Sequence, residues 1–217
     1  MKARFLFIFL YLVSLPLFSQ AEIAPGAMDN LAVLLNKPAV ANPVKATALG
    51  NNWYNVYLDT HMFTDQASFK QIVQVLTDIG NYKNIFDGKS NKLRTKIISR
   101  TNNETVVDIT SITIAFIQYT VEYRASIITL ENTDTRFTAE IRQNDSETNT
   151  QIKNYHAIRF IEEITINGKK YTYIRINSRN DTYVGIRLPN IPNTIEKNSV
   201  SSNEDILQMI IRAAKTR

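Results

Sequence analysis

FIQYTVEYRASIITL, residues 116–130, decides the fold class. Its odd positions carry Ile117, Tyr119, Val121, Tyr123, Ala125 and Ile127, and its even positions carry Gln118, Thr120, Glu122, Arg124 and Ser126. A period of two over so long a run is the pattern of a β-strand with one face buried and the other in water. Downstream, Glu131-Asn132-Thr133-Asp134 turns the chain, and residues 136–142 return with Phe137, Ala139 and Ile141 on one face. After a polar loop over 144–154, residues 155–166 and 169–177 read as strands joined at Asn167-Gly168, a strong two-residue hairpin signal. A short strand over 181–188 is also expected. Upstream, residues 92–100 and 104–114 read as a further hairpin about Thr101-Asn102-Asn103.

The rest of the chain frames this meander. Residues 53–63 alternate as a first strand. Asp65 is the expected N-cap of a helix carrying Phe69, Ile72, Val73, Val75, Leu76 and Ile79, which Gly80 ends. Residues 81–88 read as a turn or a second short helix. Residues 22–50, punctuated by Pro25, Pro38 and Pro43, read as a loosely structured lead-in with a short helix over 28–37. The chain closes on a helix over 201–217, with Ser201 and Ser202 against Glu204 and Asp205 as a capping box. Ile206, Leu207, Ile210, Ala213 and Ala214 form its apolar stripe. Seventeen residues span about 25 Å at 1.5 Å per residue, too little to cover a curved sheet of about seven strands. Space is therefore expected between sheet and helix. The class is α+β, in one domain over 51–217.

At the start, Lys2 and Arg4 precede an apolar run over 5–18, and Ser19-Gln20-Ala21 places small residues where a signal peptidase cuts. A signal peptide over 1–21, cleaved after Ala21, implies a periplasmic or secreted protein. The 217 residues have a net charge of +5, or +3 without Lys2 and Arg4, spread along the chain. No dense basic stripe marks a nucleic-acid binder. The absence of cysteine removes disulfides, thiol nucleophiles and thiolate metal sites. His61 and His156 lack metal-ligand spacing, and no Rossmann, P-loop or nucleophile-elbow pattern is present. No metal and no cofactor is expected.

The run 65–88, with Phe69, Val73, Leu76, Thr77-Asp78-Ile79, Asn81-Tyr82 and Ile85-Phe86, resembles the START-like (SRPBCC) helix-grip superfamily. That superfamily includes lipid-transfer domains, polyketide cyclases and coenzyme Q-binding proteins. The resemblance covers residues 53–217, mostly through element order. Lys83 stands where the family often has a proline after its tyrosine. The resemblance implies a curved antiparallel sheet gripping the C-terminal helix, with a lipid, sterol, quinone or polyketide between them.

The favoured expectation is a non-catalytic carrier of an apolar small molecule or lipid, lined by Ile117, Tyr119, Val121, Tyr123, Phe137, Ile141, Ile158, Phe160, Ile206 and Ile210. Such a carrier would meet a membrane surface during transfer. One alternative is a cyclase- or hydrolase-type enzyme. If Ile158, Phe160, Ile164 and Ile166 face inward, Glu162 does too, with Arg175 as its expected partner. His61 and Asp59, two apart on one strand face, are a second acid–base pairing. The other alternative is an envelope interaction module.

Overall fold

The computed structural model describes residues 22–88, 91–114, 118–144, 151–185 and 190–217, so the leader over 1–21 and Ile117 lie outside the described residues. The described strands are β1 (Ala39–Gly50), β2 (Trp53–Thr64), β3 (Asn91–Arg100), β4 (Glu104–Ile114), β5 (Gln118–Asn132), β6 (Arg136–Gln143), β7 (Ile152–Ile166) and β8 (Lys169–Tyr183). The helices are α1 (Leu31–Leu34), α2 (Phe69–Thr77), α3 (Tyr82–Ile85) and α4 (Ile191–Ala214), with a 3₁₀ turn over Ile79–Asn81. All eight strands form one curved antiparallel sheet in the order β1-β2-β8-β7-β6-β5-β4-β3. α2 and α3 carry the chain from β2 to the far edge at β3, and the meander then returns until β8 pairs with β2. This is the helix-grip architecture.

The meander strands follow the alternation closely. Val121, Tyr123, Ala125 and Ile127 of β5 join Val107 and Ile109 of β4 and Phe137, Ala139 and Ile141 of β6 in one core. α2 and α4 close this inner face with Ile72, Val75, Leu76, Leu207, Ile210 and Ala214. Asn167 and Gly168 both take positive φ, as the hairpin between β7 and β8 requires.

Three expectations change. First, the lead-in is ordered. β1 pairs along β2 as an edge strand, and α1 with its flanks packs on the sheet's outer face. Pro43 is accommodated because β1 is an edge strand whose register slips between Asn42 and Lys45. Asn51 and Asn52, with φ of 50° and 64°, make the two-residue turn into β2. Second, α4 has 24 residues and begins at Ile191, with Pro192 in its first turn. That places Ser201 and Ser202 mid-helix rather than in a capping box. Proline fits the first turn because its missing N–H has no intrahelical partner there. Third, α2 is capped by Ser68, not Asp65. The Ser68 side chain accepts from the Gln71 N–H, and the Gln71 side chain accepts from the Ser68 N–H.

Candidate functional site

Eight strands with α2 and α4 do not fill the inner face completely. A cavity of about 270 Å³ remains between the end of α2, the β3–β4 turn and the middle strands. Leu76, Thr77 and Ile79 bound it on the helix side, and residues 100–105 bound it at the turn. Ile127, Thr129 and Asn132 of β5, Phe137 and Ala139 of β6 and Arg159 of β7 form its floor. Its volume lies just below the usual range for small-molecule sites, and its mixed lining suits a compact ligand with a polar end.

Arg159 is the unusual member. It stands on the inner face between Ala157 and Ile161, which are both fully buried. Its Nη1 donates to the Tyr82 hydroxyl at 2.9 Å, and its guanidinium lies 5.8 Å from the centre of that ring. The Tyr82 hydroxyl in turn donates to the Leu76 carbonyl. Burial acts to lower the pKa of Arg159. The surrounding Tyr82, Tyr155 and Tyr123 outweigh it, so the group stays charged. Burial likewise pushes the Tyr155 phenol up, against the pull of Arg159.

The expected lining residues divide between two faces. Val121, Tyr123, Phe137, Ile141 and Ile210 are buried on the inner face, and Ile206 packs against it half-buried. Of these, Phe137 reaches the cavity, and α4 contributes no lining residue. Tyr119 lies in β5, but its side chain is outside the described residues.

Ile158 and Phe160 require correction, because they stand on the outer face. Cross-strand partners share a face, and Phe137 and Ile141 face Ile161 and Ala157. The inner series of β7 is therefore Tyr155, Ala157, Arg159 and Ile161. The outer series is longer and greasier because the lead-in buries it too. Phe160 packs there with Phe63, Tyr173, Ala24, Ala27 and Leu34.

Glu162 and Arg175 are also corrected. Both lie on the outer face, away from the cavity, and they do not pair. Glu162 accepts from Arg136 Nη2 at 2.7 Å near the surface. Arg175 makes a two-point contact with Asp59, Nε to Oδ1 at 2.9 Å and Nη2 to Oδ2 at 2.8 Å. Asp59 is fully buried and Arg175 only 4% exposed. Burial acts to lower the pKa of Arg175, and the Asp59 carboxylate outweighs it.

The lead-in completes this outer network. Arg175 Nη1 donates to the Glu22 carbonyl at 2.9 Å, and the Tyr173 hydroxyl accepts from the Ala24 N–H at 3.0 Å. His61 Nδ1 lies 3.0 Å from the same hydroxyl. Burial pushes the Tyr173 phenol up to about 12 and holds His61 below the usual histidine range. His61 and Asp59 do share a face, but both are sealed under the lead-in rather than set in an open site. The sequence signal that finds Arg159 is a lone basic residue within an inward-facing apolar series. Reading it needs the register of β6 against β7.

No protein-family model matches the chain, and no curated protein matches it in sequence. Solved structures do superpose on it, one of them closely enough to show a shared fold. The human StAR-related lipid transfer protein 5 superposes with a TM-score of 0.55 at 11% identity, covering 80% of this chain and 87% of that one. A Streptomyces aromatase/cyclase gives 0.48 at 14% identity, over 75% and 92% of the two chains. Norcoclaurine synthase from Thalictrum flavum gives 0.45 at 15% identity, over 76% and 96%.

Proposed function

We propose that this chain, built on the START-like helix-grip fold, is an exported, non-catalytic carrier of a hydrophobic ligand, held under the grip at the α2 end of the sheet. The cavity of about 270 Å³ carries the reading, because it opens between α2 and the β3–β4 turn onto an apolar floor of Ile127, Phe137 and Ala139. The lipid-transfer function named for the human structure of the same fold supports it. Glu162 and Arg175 lie outside the cavity and are committed to Arg136 and Asp59, so they supply it with no acid–base pair.

Exchange at a membrane surface is part of this proposal. Ile97, Ile98 and Leu130 are large apolar side chains left exposed on β3 and β5, beside the turn that bounds the cavity. Lys96 and Arg100 stand exposed on the same edge, suited to anionic headgroups.

The test is displacement of N-phenyl-1-naphthylamine, an uncharged probe that fluoresces in apolar sites. The protein should bind it saturably, and Ala139→Trp, which fills the cavity, should abolish binding while leaving the circular dichroism spectrum unchanged. Equal binding by Ala139→Trp would move the site elsewhere, and no binding by either protein would remove the carrier reading. Ile98→Asp with Leu130→Asp should reduce sedimentation with anionic vesicles without changing probe affinity.

A further inference from the structure

We infer that the cavity selects amphiphiles with an anionic head, which Arg159 holds. The inference rests on the carrier reading and names the chemical class of its ligand.

A guanidinium has five N–H donors. Arg159 spends one on Tyr82, and no other hydrogen bond occupies it among the described residues. The Tyr82 oxygen cannot neutralise the charge, because its own proton is directed at the Leu76 carbonyl. No carboxylate lies within ion-pair distance of the half-buried Arg159 among the described residues, whereas the buried Arg175 has Asp59. Glu104 also lines the cavity, on the β3–β4 turn, and forms no ion pair with Arg159. With Arg100 on the same turn, the lining residues include two arginines and one glutamate.

Arg159 is half-buried, and a charge partly withdrawn from water gains from a counter-charge and hydrogen bonds that replace its lost hydration. In a cavity otherwise floored by Ile127, Phe137 and Ala139, that replacement is best supplied by the ligand. The planar fork of a guanidinium matches the two oxygens of a carboxylate or phosphate, and the Tyr82 contact fixes the plane of the fork beforehand. The apolar floor then takes a short alkyl or ring body. At about 270 Å³, a longer tail must leave past the β3–β4 turn.

Calorimetric titration with decanoate, decyl phosphate, decanol and methyl decanoate tests the inference. These ligands share one tail and differ at the head. Wild-type protein should bind decanoate or decyl phosphate at least tenfold more tightly than decanol or the ester, and the tighter of the two names the head group. Arg159→Met should abolish that preference, so that the variant binds decanoate and decyl phosphate no more tightly than it binds decanol. Arg159→Lys should keep part of it. Equal affinity of wild-type protein for all four heads overturns the inference and leaves the carrier reading intact. Failure to bind any of the four, or N-phenyl-1-naphthylamine, removes both. If Arg159→Met loses decanol binding and its native spectrum together, Arg159→Lys decides: a retained anion preference supports the inference, and its loss in a folded protein overturns it.

Discussion

At the scale of single residues, the largest electrostatic commitment is Asp59 with Arg175. The carboxylate also accepts from Asn42 at 2.6 Å, so all three groups are satisfied without water. Removing one partner strands a buried charge, which costs about 3–5 kcal/mol. Arg175→Met and Asp59→Asn should each lower the free energy of urea unfolding by that order. The double variant should be less destabilised than the sum of the two, since it strands no charge. His61 adds a pH dependence. Because the Tyr173 hydroxyl accepts from Ala24, its own proton is free for His61 Nδ1, and protonating that nitrogen reverses the bond. The folded-state pKa of His61 lies below its unfolded value near 6.5. Between the two values the unfolded chain binds more protons, so stability is complete above the unfolded value and falls as pH drops towards the folded one. Unfolding measured from pH 7.5 to 5 should show this loss, and His61→Gln should flatten that part of the profile. An unchanged profile would mean that His61 is not the group titrating.

At the scale of elements, the lead-in explains both what the sequence revealed and what it concealed. The meander was legible because β4, β5 and β6 carry their buried apolar residues on one face only, so alternation reports orientation directly. In β7 and β8 both faces are buried, and alternation loses its meaning. Phe160 and Tyr173 then compete with Ile161 and Ile174 for the inner side, and only pairing with β6 decides between them. β1 was hidden by Pro43, which reads as a breaker unless the strand is known to lie at an edge. α4 was shortened because Ser201, Ser202, Glu204 and Asp205 imitate a helix start, while the real start follows Asn190 in a left-handed conformation. A cavity was expected beside the C-terminal helix, but its position at the α2 end was unreadable, since it depends on how far α2 and the β3–β4 turn stand apart. A cover this deeply packed should matter energetically. Leu34, 4% exposed, packs on the same outer cluster as Phe63 and Phe160. Leu34→Ala should cost about 2–5 kcal/mol. If the lead-in were only a loose tether, the change would stay within the ordinary surface range of about 0.5 kcal/mol.

At the scale of the whole molecule, the expected export signal and the fold meet at one residue. Cleavage after Ala21 would leave Glu22 as the first residue, and among the described residues Glu22 is the first that contacts the sheet, through its carbonyl and Arg175 Nη1. The mature chain would thus start at the rim of the outer network, with no surplus residues between the cut and the packed segment. Expression with the leader in a secreting bacterial host should yield a protein whose N-terminal sequence, read by mass spectrometry, begins at Glu22. Chains made to start at Glu22 and at Ala27 separate processing from packing. The first should match the processed protein in thermal midpoint. The second lacks the Glu22 and Ala24 contacts to Arg175 Nη1 and the Tyr173 hydroxyl, and should melt several degrees lower while still binding N-phenyl-1-naphthylamine, because the cavity lies on the opposite face of the sheet. A processed protein beginning elsewhere would overturn the cleavage position. Equal melting of the two chains would show that the network holds without its cover.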